Sequence, residues 1–217
     1  MCLLCATPAD ISNLCEPCRL ELPYLGPEHC PRCAEPGTSG QVCGACLAHP
    51  PEFDRAVAPC IYSYPLDRVI QAFKYSGNLA AAPMLADLML TSIQTEPRPD
   101  LIIPMPLSRE RLHERGFNQS MELARLIATA LGVELAPQAC IRVQHGTAQS
   151  ALPWTERAKN IRGAFVCMRD LAGCSVAIVD DVLTTGATLN ELARVLRKRG
   201  AERVSGWVAA RTISPGA

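Results

Sequence analysis

The chain has 217 residues, which allows one α/β domain of roughly 150 residues with a small additional unit and excludes two ordinary domains. Apolar residues make up 48% of the chain and aromatic residues only 5%, so the core must consist mainly of Leu, Val, Ile and Ala, as in parallel sheets covered by helices. The 21 basic and 21 acidic side chains balance, which excludes a generally basic surface for nucleic acid.

The first residues, Met-Cys-Leu-Leu-Cys, contain no cationic segment followed by a long apolar run. A run of about eighteen uncharged apolar residues, as a membrane-spanning helix needs, is also missing from the sequence. We therefore expect a cytoplasmic protein with no membrane insertion. Because the cytoplasm keeps thiols reduced, we expect its twelve cysteines to be free thiols or metal ligands rather than disulfides.

Eight cysteines form two copies of the pattern Cys-x2-Cys-x9-Cys-x2-Cys, 28 residues apart: Cys2, Cys5, Cys15 and Cys18, then Cys30, Cys33, Cys43 and Cys46. Two Cys-x-x-Cys turns supply the four thiolates of a closed tetrahedral Zn²⁺ site, so two structural zinc ions are expected. Four sulfurs leave no position for water, and such sites stabilise segments too small to fold alone. An iron–sulfur cluster or a redox dithiol would use the same residues, and the spacing leaves open whether each metal binds within one repeat or between the two.

The other four cysteines stand alone in apolar surroundings and are expected to be buried as small apolar side chains: Cys60, Cys140, Cys167 and Cys174. A Pro-rich, charge-poor stretch over residues 47–51 marks the end of the cysteine-rich part. We therefore predict a cysteine-rich zinc-binding segment over residues 1–50 and a larger domain over residues 51–217.

Beyond residue 51, the apolar pattern predicts alternating strands and helices. Strands are expected within 55–64 and over 101–103, 140–143, 176–179 and 204–210. Helices are expected over 66–73, 79–93, 119–131 and 189–199, the last ended by Gly200. Pro104 and Pro106 interrupt the strand 101–103, and a charged loop follows them. This order predicts an α/β fold with a parallel sheet.

The charged loop after residue 106 carries Arg109, Arg111 and Arg115. Guanidinium groups bind phosphate oxygens with two parallel hydrogen bonds, so the loop is a candidate phosphate-binding element. For any one arginine, the alternative is a solvated turn in which Glu110 and Glu114 are the partners.

A long polar segment with little periodicity covers residues 144–162. Long loops without secondary structure are uncommon inside compact domains, and many of them act as lids over a site.

The strand 176–179 leads into Asp180 and Asp181, and the residues Thr184, Thr185, Gly186, Ala187 and Thr188 follow at the start of a helix. Ligands of open α/β sheets bind beyond the carboxyl ends of the strands. Threonine hydroxyls, a glycine that allows close approach, and free N–H groups at a helix start suit a dianionic phosphate. The adjacent carboxylates suit the hydroxyls of a sugar. The pattern therefore predicts a site for ribose 5-phosphate, whereas a simple helix cap would explain only Asp181 and Thr188.

Residues 176–188 resemble the signature of type I phosphoribosyltransferases: four apolar residues, two acids, two apolar residues and x-Thr-Gly-x-Thr. The whole chain resembles the bacterial ComF family (competence protein F, GntX-like). The resemblance lies in the cysteine repeats and in Phe73-Lys74-Tyr75, Pro-x-Pro, Arg115-Gly116-Phe117-Asn118-Gln119, Thr147-x-Gln149-Ser150, Arg157 with Asn160, Ala164-Phe165 and the threonine-rich loop.

This resemblance implies a type I phosphoribosyltransferase-like domain behind an N-terminal double zinc ribbon. It implies that Asp180 and Asp181 hold the ribose, that residues 184–188 surround the 5-phosphate of phosphoribosyl pyrophosphate, and that Mg²⁺ arrives with the pyrophosphate. It places the arginine loop by the pyrophosphate, adds Lys74 to the substrate-binding residues, and makes 144–162 a lid from which Arg157 reaches the ligand on closure.

Two functions follow from the resemblance. The first is transfer of a phosphoribosyl group to an acceptor that the sequence does not identify, linked to DNA uptake. The second is a non-catalytic adaptor that senses a nucleotide or contacts single-stranded DNA and a competence helicase. A local basic cluster is the candidate DNA surface: Arg194, Arg197, Lys198, Arg199 and Arg203. A redox sensor working through its thiols is a third interpretation.

Overall fold

The computed structural model describes residues 1–9, 13–143 and 161–213. Six parallel strands form the main sheet: β1 (Arg55–Val57), β2 (Cys60–Ile61), β3 (Leu101–Pro104), β4 (Glu134–Leu135), β7 (Ser175–Leu183) and β8 (Arg203–Arg211). Their order is β1-β8-β7-β3-β4, and β2 pairs with the end of β8. Strands β5 (Cys140–Arg142) and β6 (Phe165–Cys167) form a separate antiparallel hairpin.

Seven helices accompany the strands in the described part of the chain: α1 (Glu16–Leu20), α2 (Gly44–Ala48), α3 (Leu66–Tyr75), α4 (Ala81–Ser92), α5 (Arg109–Arg115), α6 (Gln119–Leu131) and α7 (Ala187–Lys198). Apolar side chains of α3, α4 and α6 pack with one another and with Ala177 and Val179 of β7 to form one core. Apolar side chains of α7 and of the hairpin form a second core with Val176 and Ile178. Because successive strand residues point to opposite faces, β7 contributes to both cores.

The predicted parallel α/β sheet is confirmed, and most element boundaries agree within a few residues. Strand β7 is longer than expected, because its pairing with β8 continues as far as Leu183 opposite Arg211. The two acids therefore lie inside the strand rather than after it. The expected strand near residue 140 belongs to the hairpin and not to the parallel sheet.

The charged loop after β3 contains a short helix that the sequence pattern did not predict. The Ser108 hydroxyl accepts a hydrogen bond from the N–H of Arg111 at 3.3 Å, which caps α5 at its start. Gly116 ends the helix with a φ of 77°, a left-handed conformation that favours glycine. Both end signals are present in the sequence, but the helix is too short and too polar to show an apolar period.

Of the four isolated cysteines, Cys60, Cys140 and Cys167 are buried as expected, whereas Cys174 is only half-buried. The segment boundary at residue 50 stays a prediction. Leu14 and Leu22 of the cysteine-rich segment lie in the same core as α3 and α4, so part of that segment packs into the main body. None of the helices in the described ranges combines the length and apolar character needed to cross a membrane.

Candidate phosphate and metal sites

The eight paired cysteines form two separate groups of sulfur atoms. Within each sequence repeat, the four sulfurs all lie within 4.8 Å of one another: Cys2, Cys5, Cys15 and Cys18 in the first, and Cys30, Cys33, Cys43 and Cys46 in the second. Each repeat thus provides its own four-sulfur cluster, which settles the partition that the spacing left open. A compact set of four thiols fits a tetrahedral Zn²⁺ ion.

The two repeats share the same local backbone structure. Ala6 and Ala34, 28 residues apart, both have left-handed φ angles, of 60° and 57°. The N–H of Cys2 donates to the carbonyl of Thr7 at 2.8 Å, and the N–H of Cys30 donates to the carbonyl of Glu35 at 2.7 Å. Cys15 and Cys43 stand at the N-caps of α1 and α2. The same turn is therefore built twice.

Backbone donors in this turn favour the thiolate form of the first cysteine. Burial raises the pKa of Cys2, but hydrogen bonds from the backbone N–H groups of Cys15, Cys5 and Leu4 outweigh that effect and lower the pKa to about 6. In the second repeat, burial of Cys30 is likewise outweighed by backbone donors, which lower its pKa to about 7. Metal ligation requires thiolates, so these backbone donors suit the first cysteine of each repeat to that role, whereas the pKa of Cys18 is raised by the neighbouring Cys5 and that of Cys46 by burial.

The threonine-rich loop joins the end of β7 to α7. Thr184 and Thr185 are exposed, and Gly186 has a φ of 79° at the N-cap of α7. The N-cap glycine has no side chain to cap the helix, and the Thr185 hydroxyl accepts a long hydrogen bond from the N–H of Ala187 at 3.4 Å, so the N-terminal end can bind an anion. Gly206 of β8 allows α7 to approach closely, since a Cβ there would lie 2.4 Å from a methyl group of Leu189.

The acid pair of β7 meets groups from two other elements. The ammonium of Lys74 lies 2.9 Å from a carboxylate oxygen of Asp181, and both side chains are largely buried. A carboxylate oxygen of Asp180 accepts hydrogen bonds from the Ser120 hydroxyl at 2.8 Å and from the N–H of Asp181 at 2.9 Å. Burial and the neighbouring charge of Asp181 raise the pKa of Asp180 to about 7, against the lowering effect of its hydrogen bonds and of Lys74.

Arg115 is the arginine of the charged loop that the structure connects to Lys74. Its guanidinium donates to the side-chain oxygen of Gln119 at 3.0 Å, and the Gln119 amide lies 3.5 Å from the carbonyl of Lys74. It also stacks 5.1 Å above the ring of Tyr75. Its buried Nε has no hydrogen-bond partner among the described residues and is an unsatisfied donor in this part of the site.

Arg109 and Arg111 are exposed on α5. Arg111 lies on the same face of the helix as Arg115, four residues later, whereas Arg109 lies on a different face. Arg142, at the end of β5, belongs to the same charged region: burial lowers its pKa, the charge of Arg111 lowers it further, and Asp180 opposes the shift.

The sequence analysis gave no role in the site to Arg142 and Ser120, and it named Gln119 only as part of the family motif. Ser120 and Gln119 begin a helix whose N-cap, Asn118, accepts from the N–H of Ser120 at 3.0 Å. An N-cap residue after a parallel strand predicts a helix start near the carboxyl edge of the sheet, so the sequence could have placed these side chains there. Arg142 gave no such signal, because its position depends on a hairpin that was not predicted.

Two of the five cations of the candidate DNA surface near the end of α7 are ion-paired, and Lys198, Arg199 and Arg203 are exposed. Arg194 pairs with Glu191 at 2.7 Å, and Arg197 pairs with Asp54 at 2.6 Å. The Arg199 guanidinium donates to the carbonyl of Arg169 at 3.1 Å. These contacts hold surface arginines within the fold. Arg157 and the rest of the expected lid as far as residue 160 fall outside the described residues.

Two family models match the chain, the double zinc ribbon domain over residues 1–47 and the phosphoribosyl transferase domain over residues 118–214. Similar proteins include three relatives that match along most of their length. The DNA utilization protein YhgH of Salmonella typhi is 33% identical over 98% of this chain and 97% of its own. Competence protein F of Haemophilus influenzae is 34% identical over 97% and 96%, and competence protein ComFC of Bacillus subtilis is 28% identical over 87% and 79%.

Proposed function

Since the chain belongs to the ComF family, we propose that it binds phosphoribosyl pyrophosphate and transfers the phosphoribosyl group to an acceptor. The observation that carries this proposal is the position of the acid pair Asp180–Asp181 in β7, directly before the open phosphate loop 184–188. Lys74 forms an ion pair with Asp181, and the Ser120 hydroxyl donates to Asp180. A single ligand that has a ribose between two phosphate groups matches this order of sites.

In the proposed complex, the 5-phosphate binds at the loop. Thr184, Thr185 and Thr188 donate from their hydroxyls, and the N-terminal end of α7 contributes its positive partial charge. Gly186 keeps the loop backbone close to the phosphate, and Ala187 begins the helix without a side chain large enough to block it. The phosphate dianion thereby anchors one end of the ligand.

The two acids accept hydrogen bonds from the ribose hydroxyls. Lys74 balances the charge of Asp181, so that two carboxylates can stay next to each other in a largely buried position. Asp180 is the acid with the raised pKa and gains most from a bound hydroxyl donor or a nearby cation. Both residues thus hold the sugar in the orientation needed for reaction at its C1 carbon.

The pyrophosphate end faces the arginines of α5. When its bond to C1 breaks, pyrophosphate leaves with the electron pair and C1 acquires the positive charge of an oxocarbenium ion, so the protein must stabilise a strongly anionic leaving group. Arg115, with its unpaired Nε, Arg111 and Arg109 are proposed to supply that charge. Mg²⁺ bound by the pyrophosphate and ribose hydroxyls would neutralise part of it. Arg157 is proposed to join from the lid.

We further propose that both four-cysteine clusters hold structural zinc. Their closed sulfur sets match the double zinc ribbon and leave no position for a reacting water. Reduced thiolates are required for this role, which is consistent with action in the cytoplasm. Metal analysis of protein purified without chelator tests the proposal: two zinc ions per chain support it, and a folded protein without metal contradicts it.

Titration calorimetry with phosphoribosyl pyrophosphate and Mg²⁺ tests the ligand site. The double variant Asp180→Asn with Asp181→Asn is expected to lose at least about 100-fold in affinity, because it removes two charge-assisted acceptors. A variant with Asp170→Asn and Glu202→Gln removes the same number of charges from exposed positions and serves as the matched control. Failure of the zinc-loaded wild type to bind would refute the proposal.

An adaptor role in DNA uptake is the second candidate, favoured by the names of the relatives, competence protein F and DNA utilization protein. Binding of a labelled single-stranded oligonucleotide measured at about 50 and about 200 mM salt tests it, since phosphate contacts weaken steeply as salt increases. Salt-sensitive DNA binding without any affinity for phosphoribosyl pyrophosphate would favour the adaptor, with a helicase as its partner.

A further inference from the structure

Arg211 is a buried cation that connects the second cysteine cluster with the phosphate loop. It is the last residue of β8, and only 4% of its surface is exposed. On one side, its guanidinium pairs with the Glu35 carboxylate and donates to the carbonyl of Cys33 at 3.1 Å. On the other side, it donates to the carbonyl of Leu183 at 3.2 Å and to the carbonyl of Thr184.

The Glu35 side of this bridge is part of the metal-binding turn. Glu35 is 6% exposed, and its carbonyl accepts the 2.7 Å hydrogen bond from Cys30 that closes the turn. Cys33, whose carbonyl binds Arg211, is itself one of the four sulfur ligands. Loss of metal would release this turn, and with it the two acceptors that hold one side of the guanidinium.

The other side of the bridge determines the direction of a peptide group in the loop. Because a trans peptide is planar, with its C=O and N–H pointing in opposite directions, holding the carbonyl of Thr184 also orients the N–H of Thr185 away from Arg211. Thr185 is a central residue of the phosphate loop. Arg211 therefore controls the orientation of a donor available to the phosphate without touching the phosphate itself.

Apolar packing also links the two regions, since Ala34 of the metal turn lies in the same core as Leu183 and Leu189 on either side of the loop. A cavity of about 610 Å³ lies between the second cluster and the loop, with Cys43 and Cys46 on one wall and Thr185 and Ala187 on the other. Arg211 is a polar contact that reaches from the carbonyl of Cys33 to the carbonyl of Thr184 in the loop itself, so we take it as the route for coupling.

We propose that Arg211 is a positioning residue through which metal in the second cysteine cluster and a ribose 5-phosphate group at the loop bind cooperatively. This inference rests on the proposed function, since it concerns the same phosphate loop. Cooperativity is reciprocal: metal in the second cluster strengthens phosphate binding, and bound phosphate slows metal loss from that cluster. The first cluster, which docks on α4, takes no part.

Metal release gives the most direct test. A chromophoric chelator is added to zinc-loaded wild type with and without saturating ribose 5-phosphate, and Cys15→Ser and Cys43→Ser variants assign the two release phases. We expect ribose 5-phosphate to slow release from the second cluster about tenfold and to leave the first phase unchanged. Equal slowing of both phases, or of neither, would overturn the proposal.

Substitutions in the bridge test the route. Arg211→Met is expected to abolish the ligand effect on metal release, and Arg211→Lys to abolish most of it, because an ammonium retains the charge but does not reach both sides with a rigid fork. Glu35→Gln is a milder variant that serves if Arg211→Met does not fold. Thr7→Ala, at the equivalent position of the first repeat, removes a hydroxyl 3.0 Å from the Cys5 sulfur and serves as the control for a change beside the other cluster. Coupling that survives in both arginine variants and in Glu35→Gln contradicts the inference.

The same samples separate this inference from the proposed function. Calorimetry should show that ribose 5-phosphate binds zinc-loaded wild type and Thr7→Ala alike, and binds Glu35→Gln and Arg211→Lys about tenfold more weakly. If the wild type binds the ligand and the bridge variants bind it equally well, only the role of Arg211 is refuted. If the wild type does not bind ribose 5-phosphate at all, the phosphate site itself is refuted and the coupling with it.

Discussion

The two cysteine repeats have the same spacing and the same turns, yet they are attached to different parts of the molecule. In the first, Leu14 is 2% exposed and packs into the core formed with α3 and α4, and Arg19 forms an ion pair with Asp87 of α4 at 2.9 Å. In the second, the turn contacts the end of β8 through Glu35 and Arg211, beside a cavity. The cysteines thus define two similar metal turns, and the residues between them decide what each turn is attached to.

Equivalent positions make this difference explicit. Leu14 of the first repeat corresponds to Val42 of the second, 28 residues later, and Val42 is only half-buried. Thr7 corresponds to Glu35, which carries the charge that Arg211 needs. The first repeat is therefore attached to the body through the large apolar side chain of Leu14, whereas the second combines the burial of the smaller Ala34 with a buried ion pair. We expect the two repeats to respond differently to matched substitutions.

The largest expected effect comes from removing one sulfur ligand in each repeat. Cys15→Ser should lower the free energy of unfolding by about 4 kcal/mol, because losing the metal also loosens the core around Leu14. Cys43→Ser should cost less, about 2 kcal/mol, since the second repeat contributes the small side chain of Ala34 to its core where the first contributes Leu14. Chemical denaturation and zinc analysis measure both. Each variant should keep one zinc, and a variant that loses both would show that the clusters are not independent.

The next effect compares the two equivalent apolar positions. Leu14→Ala is expected to lower the free energy of unfolding by about 3 kcal/mol, because it leaves a cavity in the main core. Val42→Ala should cost less than about 1 kcal/mol at its half-buried position. Thermal and denaturant unfolding of the two variants measure the contrast. Equal losses would mean that the two repeats are attached to the body in the same manner.

An intermediate effect concerns the acid pair, whose contacts among the described residues are with Lys74 and Ser120 and not with either cysteine cluster. The folded-state pKa of Asp180 is raised to about 7, so this carboxyl destabilises the fold progressively as pH rises from about 4 to about 7, where the folded protein must ionise it. Asp180→Asn removes that penalty. The free energy of unfolding of the variant relative to wild type should therefore increase by about 2 kcal/mol between pH 4 and pH 8, after allowance for partial exposure.

Denaturant unfolding across this pH range measures the gain, and the Cys15→Ser and Cys43→Ser backgrounds sharpen the comparison. The same pH-dependent gain in both backgrounds would place the acid pair outside either cluster's influence. A gain that disappears in only one background would connect that cluster to the acids. A difference between Asp180→Asn and wild type that stays constant with pH would contradict the raised pKa.

The smallest expected effect is at the surface of the first repeat. Asp87→Asn breaks the partly exposed pair with Arg19 and should cost only about 0.5 kcal/mol, an amount that shrinks further at high salt. Unfolding at low and high ionic strength measures it. A loss of several kcal/mol would show that the first repeat is attached to α4 mainly by charge, and would reverse the contrast with the second repeat.

The sequence alone determined the local chemistry of this protein. The two cysteine repeats, the acid pair and the threonine-rich loop are contiguous patterns, and their geometry follows from short-range backbone constraints such as the Cys-x-x-Cys turn and the start of a helix. The parallel sheet was also predictable, because buried strands alternating with helices have few other arrangements. For that reason the family resemblance, the fold and the phosphate loop could be predicted from residues close together in the chain.

Only the tertiary structure decided how these local units meet. Lys74 pairs with Asp181, Ser120 with Asp180 and Arg211 with Glu35. Ser120 and Asp180 are 60 positions apart in the chain, and Arg211 and Glu35 are 176 apart. No periodicity connects such residues, since their contact depends on strand order and on which side of the sheet each repeat docks. The cysteines therefore predicted that two metal turns exist, and the folded chain alone determined that one of them adjoins the phosphate loop.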